Sequence, residues 1–229
     1  HNNVANTISL LQSMVHHNIN KIIFSSSCAV YGIPRTIPIP EDHPKARISP
    51  YGQTKQMIEI MLTDAFQAHG MRYVILRFFN AAGELRSEGL YEQHNPETHL
   101  IPLVVQAALH QRPFYVFGSA RPTPDGTCIR DFVHVLDIAN AHMCAADYLN
   151  KGNIPEIFNL GTGTGFSIKE IIKTTEAICR CTVPVEYKED RQGDPAILVA
   201  DTRKAEHLLN WSPVNSDIDI IIRSMYDQL

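Results

Sequence analysis

The sequence predicts an α/β fold: a parallel sheet covered by helices on both faces, followed by a smaller, loop-rich α/β lobe. Three observations predict it. Helix and strand patterns alternate from the start of the chain, with connections long enough for parallel crossovers. At 229 residues and 44% apolar content, the chain is long enough for one large domain or a domain and a half with its own core. After Asn80 the regular alternation gives way to polar, glycine-containing stretches.

The elements follow in order. Val4, Ile8, Leu11 and Val15 fall at helical spacing behind Asn2 and Asn3, good helix-capping residues. K-I-I-F-S-S is a short buried-strand signature. Pro34, Pro38, Pro40, Pro44 and Pro50 then rule out a helix or central strand, so 32–50 is a long loop. Met57, Ile58, Met61, Leu62 and Ala65 mark a helix that stops at His69-Gly70, and 72–79 reads as the next strand. Beyond an irregular stretch at 80–99, the pattern predicts a helix over 100–111, a strand F-Y-V-F, a second irregular stretch at 118–129 and a strand-helix pair over 130–150. A strand at 156–160, a helix opened by a Ser-x-x-Glu capping box at Ser167 and Glu170, a strand at 183–187, a short helix capped by Asp201 and Thr202, and a last helix from Asp217 complete the chain.

Composition narrows the function. Twenty Lys and Arg against 24 Asp and Glu give a net charge of -4, which argues against a polyanion-binding surface and so against nucleic acid as the partner. No apolar run approaches the ~18 residues of a membrane span, and no secretory leader pattern is present. A cytoplasmic protein is expected. Cys28, Cys128, Cys144, Cys179 and Cys181 match neither a zinc knuckle nor a redox C-x-x-C and read as reduced and structural. The histidines show no ligand pattern on one helix face, so no metal is expected.

The residues that point to chemistry are Tyr51 and Lys55. At i and i+4 they share a helix face. At ~5 Å and an effective dielectric of ~20, the ammonium would be worth roughly 3 kcal/mol to a phenolate, about two pKa units. A phenol so tuned works as a base near neutral pH. Alone, the spacing fits an exposed tyrosine and a solvated lysine better. The hydroxyl-rich strand end Ser25-Ser26-Ser27 shifts the balance, because parallel sheets bind ligands at the carboxyl ends of their strands.

Six blocks then occur in order: S-S-S-C-A-V-Y-G at 25–32, S-P-Y-G-Q-T-K at 49–55, R-F-F-N at 77–80, D-G-T-C-I-R-D-F-V-H at 125–134, F-N-L-G-T-G at 158–163 and R-Q-G-D at 191–194. Together they resemble the extended short-chain dehydrogenase/reductase family, in particular its nucleotide-sugar epimerases. The resemblance implies a doubly wound, Rossmann-type sheet over 1–80, a UDP-sugar-binding lobe over 81–229 with 130–150 returning to the first domain, and NAD as cofactor. It implies a homodimer through helices 3–17 and 51–69. Its catalytic residues would be Ser27, Tyr51 and Lys55, with Asn2 and Phe79 joining them at the NAD site. Asn80, His99, Leu100, Tyr115, Val116, Phe117, Arg130, Arg191 and Asp194 would hold the UDP-sugar, although His99 departs from the asparagine of many relatives. Leu198 would sit beside the sugar 2-substituent. The arginines suit a diphosphate, which favours guanidinium forks; an ion pair such as Arg130 with Asp131 is the simpler alternative for each.

The reaction implied is inversion at C4 of UDP-glucose or UDP-galactose through a 4-keto sugar. A sugar-nucleotide dehydratase would need acids beside Ser27, where the chain reads Cys28-Ala29-Val30. A non-catalytic, UDP-binding remnant is the rival from another class, because the family's opening strand, G-x-x-G-x-x-G turn and helix are not found in these residues. Gly161-Thr162-Gly163-Thr164-Gly165 has Phe166 where the third glycine would fall and reads as a tight strand-to-helix turn. With His1 in place of Met, the expectation is that roughly a hundred residues of the dinucleotide-binding half are missing. The chain alone should then be inactive, with an exposed strand edge at 21–25.

Overall fold

Residues 2–46 and 48–226 are described by a computed structural model; His1, Arg47 and 227–229 lie outside the described residues. Three parallel strands organise its first half: β1 (Lys21–Ser27), β2 (Arg72–Phe78) and β7 (Glu156–Leu160), in the order β1-β2-β7. Ser27 lies level with Phe78, and Phe78 with Leu160, so the three carboxyl ends finish together. The strand at 156–160, which chain order would assign to the later lobe, thus belongs to this first sheet. Among the described residues, the outer edge of β1 pairs with no strand.

Alternation along β2 decides what covers the sheet. Tyr73 and Ile75 face α1 (Asn2–His16) and α2 (Pro50–His69), where they pack with Leu11, Met14, Ile58 and Leu62. Val74 and Leu76 face α4 (Val135–Asn150) and pack with Ile138, Ala141, Ala145, Phe158 and Trp211. The indole N–H of Trp211 donates to the Asp137 carbonyl at 2.9 Å, so the largest side chain of this core leaves no polar group unpaired.

Arg77 continues the α2-facing row and is fully buried. Its guanidinium makes a two-pronged contact with Glu59 of α2 (2.9 and 2.8 Å) and also donates to the Tyr31 hydroxyl (2.8 Å) and the Glu41 carbonyl (2.9 Å). Ser26 and Lys45 complete the Glu59 carboxylate at 2.7 and 2.8 Å. Tyr31 passes its hydroxyl proton toward Asn159 of β7 (2.6 Å), whose amide holds the Ile39 carbonyl (2.8 Å). This network fastens the proline-rich loop over the sheet. Burial alone would raise the Glu59 carboxyl, but the hydrogen bonds and charge of Arg77, with Lys45 behind them, hold it below the usual carboxylate range.

The second lobe contains β3 (Asn80–Ala82), α3 (Leu100–His110), β4 (Phe114–Phe117), β5 (Ile129–Arg130), β6 (Phe132–His134), β8 (Phe166–Ser167), α5 (Ile168–Cys179), β9 (Val185–Lys188), β10 (Ile197–Leu198) and α6 (Ile218–Tyr226). Small sheets pair β3 with β6, β4 with β9, and β10 with β5 and β8. Ile101, Val104, Val116, Phe132, Ile171, Ile221 and Ile222 form its core. The capping box of α5 is present as read from the sequence. The short helix after Asp201 and Thr202 is instead largely a wider π turn at Ala205–Leu209.

The glycine cluster is a turn built on Asp131. This fully buried carboxylate accepts backbone N–H groups from Thr162, Gly163 and Ala200 at 2.6, 3.0 and 3.0 Å. A Cβ on Gly161 would lie 2.4 Å from the same carboxylate, so only glycine fits. Asp131 therefore ties the end of β7 to the strand that carries Arg130.

Replacing Arg77 with Met should cost about 3–5 kcal/mol in urea unfolding, because it leaves the Glu59 carboxylate buried with Lys45 as its one cation. Adding Glu59→Gln should recover part of the loss. The pair's contribution should be present above about pH 4.3 and disappear as pH falls through the depressed Glu59 value. Unaltered stability in Arg77→Met would contradict this account.

Candidate active site

The carboxyl end of β1 and the start of α2 meet because two caps and one glycine bring them together. Ser27 caps a 3-10 turn at Cys28–Val30, its hydroxyl accepting the Ala29 N–H at 3.2 Å. Ser49 caps α2 by accepting the Gly52 N–H at 3.0 Å, and Pro50 occupies the first helical position. A Cβ on Gly52 would stand 2.3 Å from the Ala29 carbonyl oxygen, so glycine sets how closely the helix approaches the turn.

Tyr51 is thereby placed beside Ser27 and remains about half exposed. Lys55 lies one turn on, its ammonium donating to the Ser25 carbonyl at 2.8 Å and standing 5.6 Å from the centre of the Tyr51 ring. The expected depression of the Tyr51 pKa is not found. Burial raises the phenol, hydrogen bonding with Ser27 draws it partly back, and burial lowers the Lys55 ammonium. The physical reason is that the phenol loses part of its hydration, while the Lys55 ammonium, turned to the Ser25 carbonyl, does not offset that loss. Neighbouring Cys28 is buried, and its thiol is pushed up to about 12, chiefly by desolvation, so it stays protonated. Asn2, exposed, opens α1; the adjacent Asn3 donates to Thr54 of α2 at 3.0 Å, bringing that helix end to the same side.

Phe79 joins this corner to a cavity. It is buried, accepts the Cys28 thiol on its carbonyl at 3.8 Å, and lines a space of about 550 Å³. Asn80, His99, Leu100, Tyr115, Phe117, Arg130, Arg191 and Asp194 line the same space. Asn80 is held by its amide on the Asp131 carbonyl at 2.9 Å. Arg130 pairs with Asp194 at 2.5 Å rather than with Asp131, whose carboxylate is occupied by backbone N–H groups. Arg191 lies over the Phe117 ring, 3.7 Å from its centre, a cation stacked on an aromatic wall.

Two expected residues sit differently. Val116 points its side chain into the lobe core, opposite Tyr115 and Phe117, as alternation along β4 demands. Leu198 pairs in register with Arg130 and packs against the Cys28, Tyr31 and Phe79 cluster instead of lining the cavity. Sequence reasoning missed Thr98, Cys128 and Phe132 on the cavity wall, and Arg121, which holds the Asp194 carbonyl at 2.7 Å. Cys128 and Phe132 lie inside the D-G-T-C-I-R-D-F-V-H block that was recognised. The histidine reading concerned helix faces; off them, Glu92, His94, Glu97 and His99 converge in the loop before α3. A search of helix faces does not find a cluster made by a loop.

Compared with known families, residues 1–161 match the profile described as the NAD dependent epimerase/dehydratase family. The chain belongs to this family. It is 47% identical over 227 residues to a UDP-glucose 4-epimerase of Rhizobium leguminosarum bv. trifolii, covering 99% of this chain and 69% of that protein. The fold superposes with a TM-score of 0.93 on UDP-glucose 4-epimerase from Brucella ovis in complex with NAD, at 45% identity, covering 97% of this chain and 69% of that one. The UDP-glucose 4-epimerase from Bifidobacterium longum in complex with NAD+ and UDP gives a TM-score of 0.90 at 38% identity, covering 97% and 67%.

The close approach at Gly52 makes a direct test possible. Gly52→Ala should force the start of α2 off the 28–30 turn and lower stability by roughly 1–3 kcal/mol, about 2–12 °C in Tm. A melting temperature equal to the parent's would show that the approach is not tight.

Proposed function

We propose that the chain carries the catalytic corner and substrate cavity of a UDP-glucose 4-epimerase, interconverting UDP-glucose and UDP-galactose through a 4-keto sugar. The observation that carries this reading is the junction at Phe79. Phe79 lines the cavity that also bears Arg130 and Arg191, and its carbonyl accepts the thiol of Cys28, the residue that follows Ser27 in the turn against which the start of α2, with Tyr51 and Lys55, is packed. Family membership and the names of the relatives support it.

In this reading Tyr51 takes the proton of the sugar 4-hydroxyl, and Ser27 shares the hydrogen bond. Lys55 is the nearest cation to the phenolate that forms. NAD, when bound, supplies hydride acceptance and return at C4. The residues present suit its nicotinamide end: Ser27, Tyr51, Lys55 and Phe79 gather where the strands end, with Asn2 on the approaching helix. Among the described residues, the glycine-rich turn after β7 does not offer its Thr162 and Gly163 amides to a pyrophosphate, because both are directed to Asp131. The chain alone is therefore read as inactive until such amides are supplied.

Arg130, Arg191, Asn80 and His99 would hold the diphosphate, with Leu100, Tyr115, the Val116 backbone and Phe117 around the uridine side and Asp194 orienting Arg130. Tight binding then falls on UDP and loose binding on the hexose, which leaves a ketone room to present either face. Leu198, packed behind Phe79, would act on the sugar end only through that ring. A dehydratase is disfavoured because the turn after Ser27 offers Cys28, Ala29 and Val30 and no acid.

A homodimer is proposed through α1 and α2. These helices pack together yet expose Ile8, Leu10, Val15, Met57, Ile60 and Phe66. None of the described helices is long and apolar enough to cross a membrane, and a cytoplasmic location is part of the same reading.

In a form of the protein that turns over, Tyr51→Phe should lower kcat by about 10²–10⁴ with UDP-sugar binding little changed. Because burial raises the phenol, the parent's rate should climb with pH on the alkaline side of neutrality. Activity of Tyr51→Phe within about threefold of the parent would remove Tyr51 as the base.

A further inference from the structure

The loop before α3 reads Glu92-x-His94-x-x-Glu97-x-His99, and its four side chains turn toward one point. One ligand atom from each lies within 4.8 Å of the others. His94 Nδ1 stands 2.8 Å from Glu92 Oε1 and 3.9 Å from Glu97 Oε1, and His99 Nδ1 also meets Glu92 Oε1. Ligands bonded at 2.0–2.1 Å in a tetrahedron are separated by about 3.4 Å, a value between the two distances measured.

The ligands are themselves oriented. Glu97 accepts the backbone N–H groups of Thr98 and His99 at 2.6 and 2.7 Å, which fixes its carboxylate at the cap of α3. The Glu92 N–H donates to buried Glu84 at 3.1 Å, and the Glu84 N–H donates to the Ser224 hydroxyl of α6 at 3.0 Å. Glu97 is thus tied to the start of α3, and Glu92, through Glu84 and Ser224, to α6. The local charge is negative, and the guanidinium of Arg86 is paired with Glu84. Two imidazoles with two carboxylates suit zinc and its first-row neighbours; calcium and magnesium favour sites made of oxygen alone.

We propose that Glu92, His94, Glu97 and His99 form a binding site for a divalent first-row cation, zinc by preference, which clasps the loop at the mouth of the cavity. Occupancy would fix His99, which stands at the N-terminal boundary of α3 and lines the cavity.

The test is a titration of chelator-stripped 229-residue protein with Co²⁺, followed by visible absorption, and with Zn²⁺, followed by calorimetry. The expected result is one equivalent bound, with the intense visible bands of tetrahedral cobalt, displacement by Zn²⁺ and none by excess Mg²⁺. His94→Ala and Glu92→Gln should each weaken binding at least ~10-fold, while His16→Ala/His17→Ala, which alters the other close imidazole pair, should not. His94 is about half exposed, so its loss should leave the fold intact, as circular dichroism would verify. The proposal fails if neither metal binds the parent protein, or if binding survives His94→Ala and Glu92→Gln but is lost with His16 and His17.

Discussion

The buried pair of Arg77 and Glu59 is the interaction on which the rest of the molecule depends. It joins the central strand to α2, and through Tyr31, Glu41, Lys45 and Asn159 it joins both to the long loop. A buried ion pair contributes little net stability compared with apolar residues of the same shape, but losing either partner is expensive. Its effect here is geometric. α2 is fixed along its length against β1 and β2, and the first two turns of that helix carry Tyr51 and Lys55.

Asp131 does the corresponding job on the other side. By collecting the amides that follow β7 and the amide of Ala200, it locks the ends of three chain segments beneath the cavity. Asn80 and Arg130, on either side of it, then project from fixed backbone. The two networks approach each other at Phe79, whose backbone N–H bonds the Leu160 carbonyl at 3.1 Å. The corner at Ser27 and Tyr51 and the cavity wall at Asn80 and Arg130 are thus joined through hydrogen-bonded backbone, while Thr98, Arg191 and Asp194 reach the cavity from loops.

Much of this was legible in the sequence. Proline spacing marked the long loop, and the helix stop read at His69-Gly70 fell where α2 ends. The cavity residues were reached through motif resemblance, since nothing in local periodicity brings Asn80, Tyr115, Arg130 and Arg191 together. What the sequence hid was long-range. Glu59 and Arg77 look like ordinary surface charges until packing buries them, and the assignment of 156–160 to the first sheet depends on which strand β2 accepts. The orientation of Val116 follows from alternation and could have been read; the position of Leu198 behind Phe79 could not. The expected Tyr51 depression did not appear because spacing along a helix says that Lys55 is near, not how much burial raises the phenol or that the ammonium turns to the Ser25 carbonyl.

The central claim is that the cavity bearing Arg130 and Arg191 recognises a uridine diphosphate. Calorimetric titration of the 229-residue protein with UDP, and then with uridine, tests it most directly. One equivalent of UDP should bind, with affinity at least ~10-fold above that for uridine, and Arg191→Ala should erase most of that difference because charge-assisted bonds to the diphosphate carry it. Equal affinity for uridine and UDP, or no heat beyond dilution with either, would contradict the account.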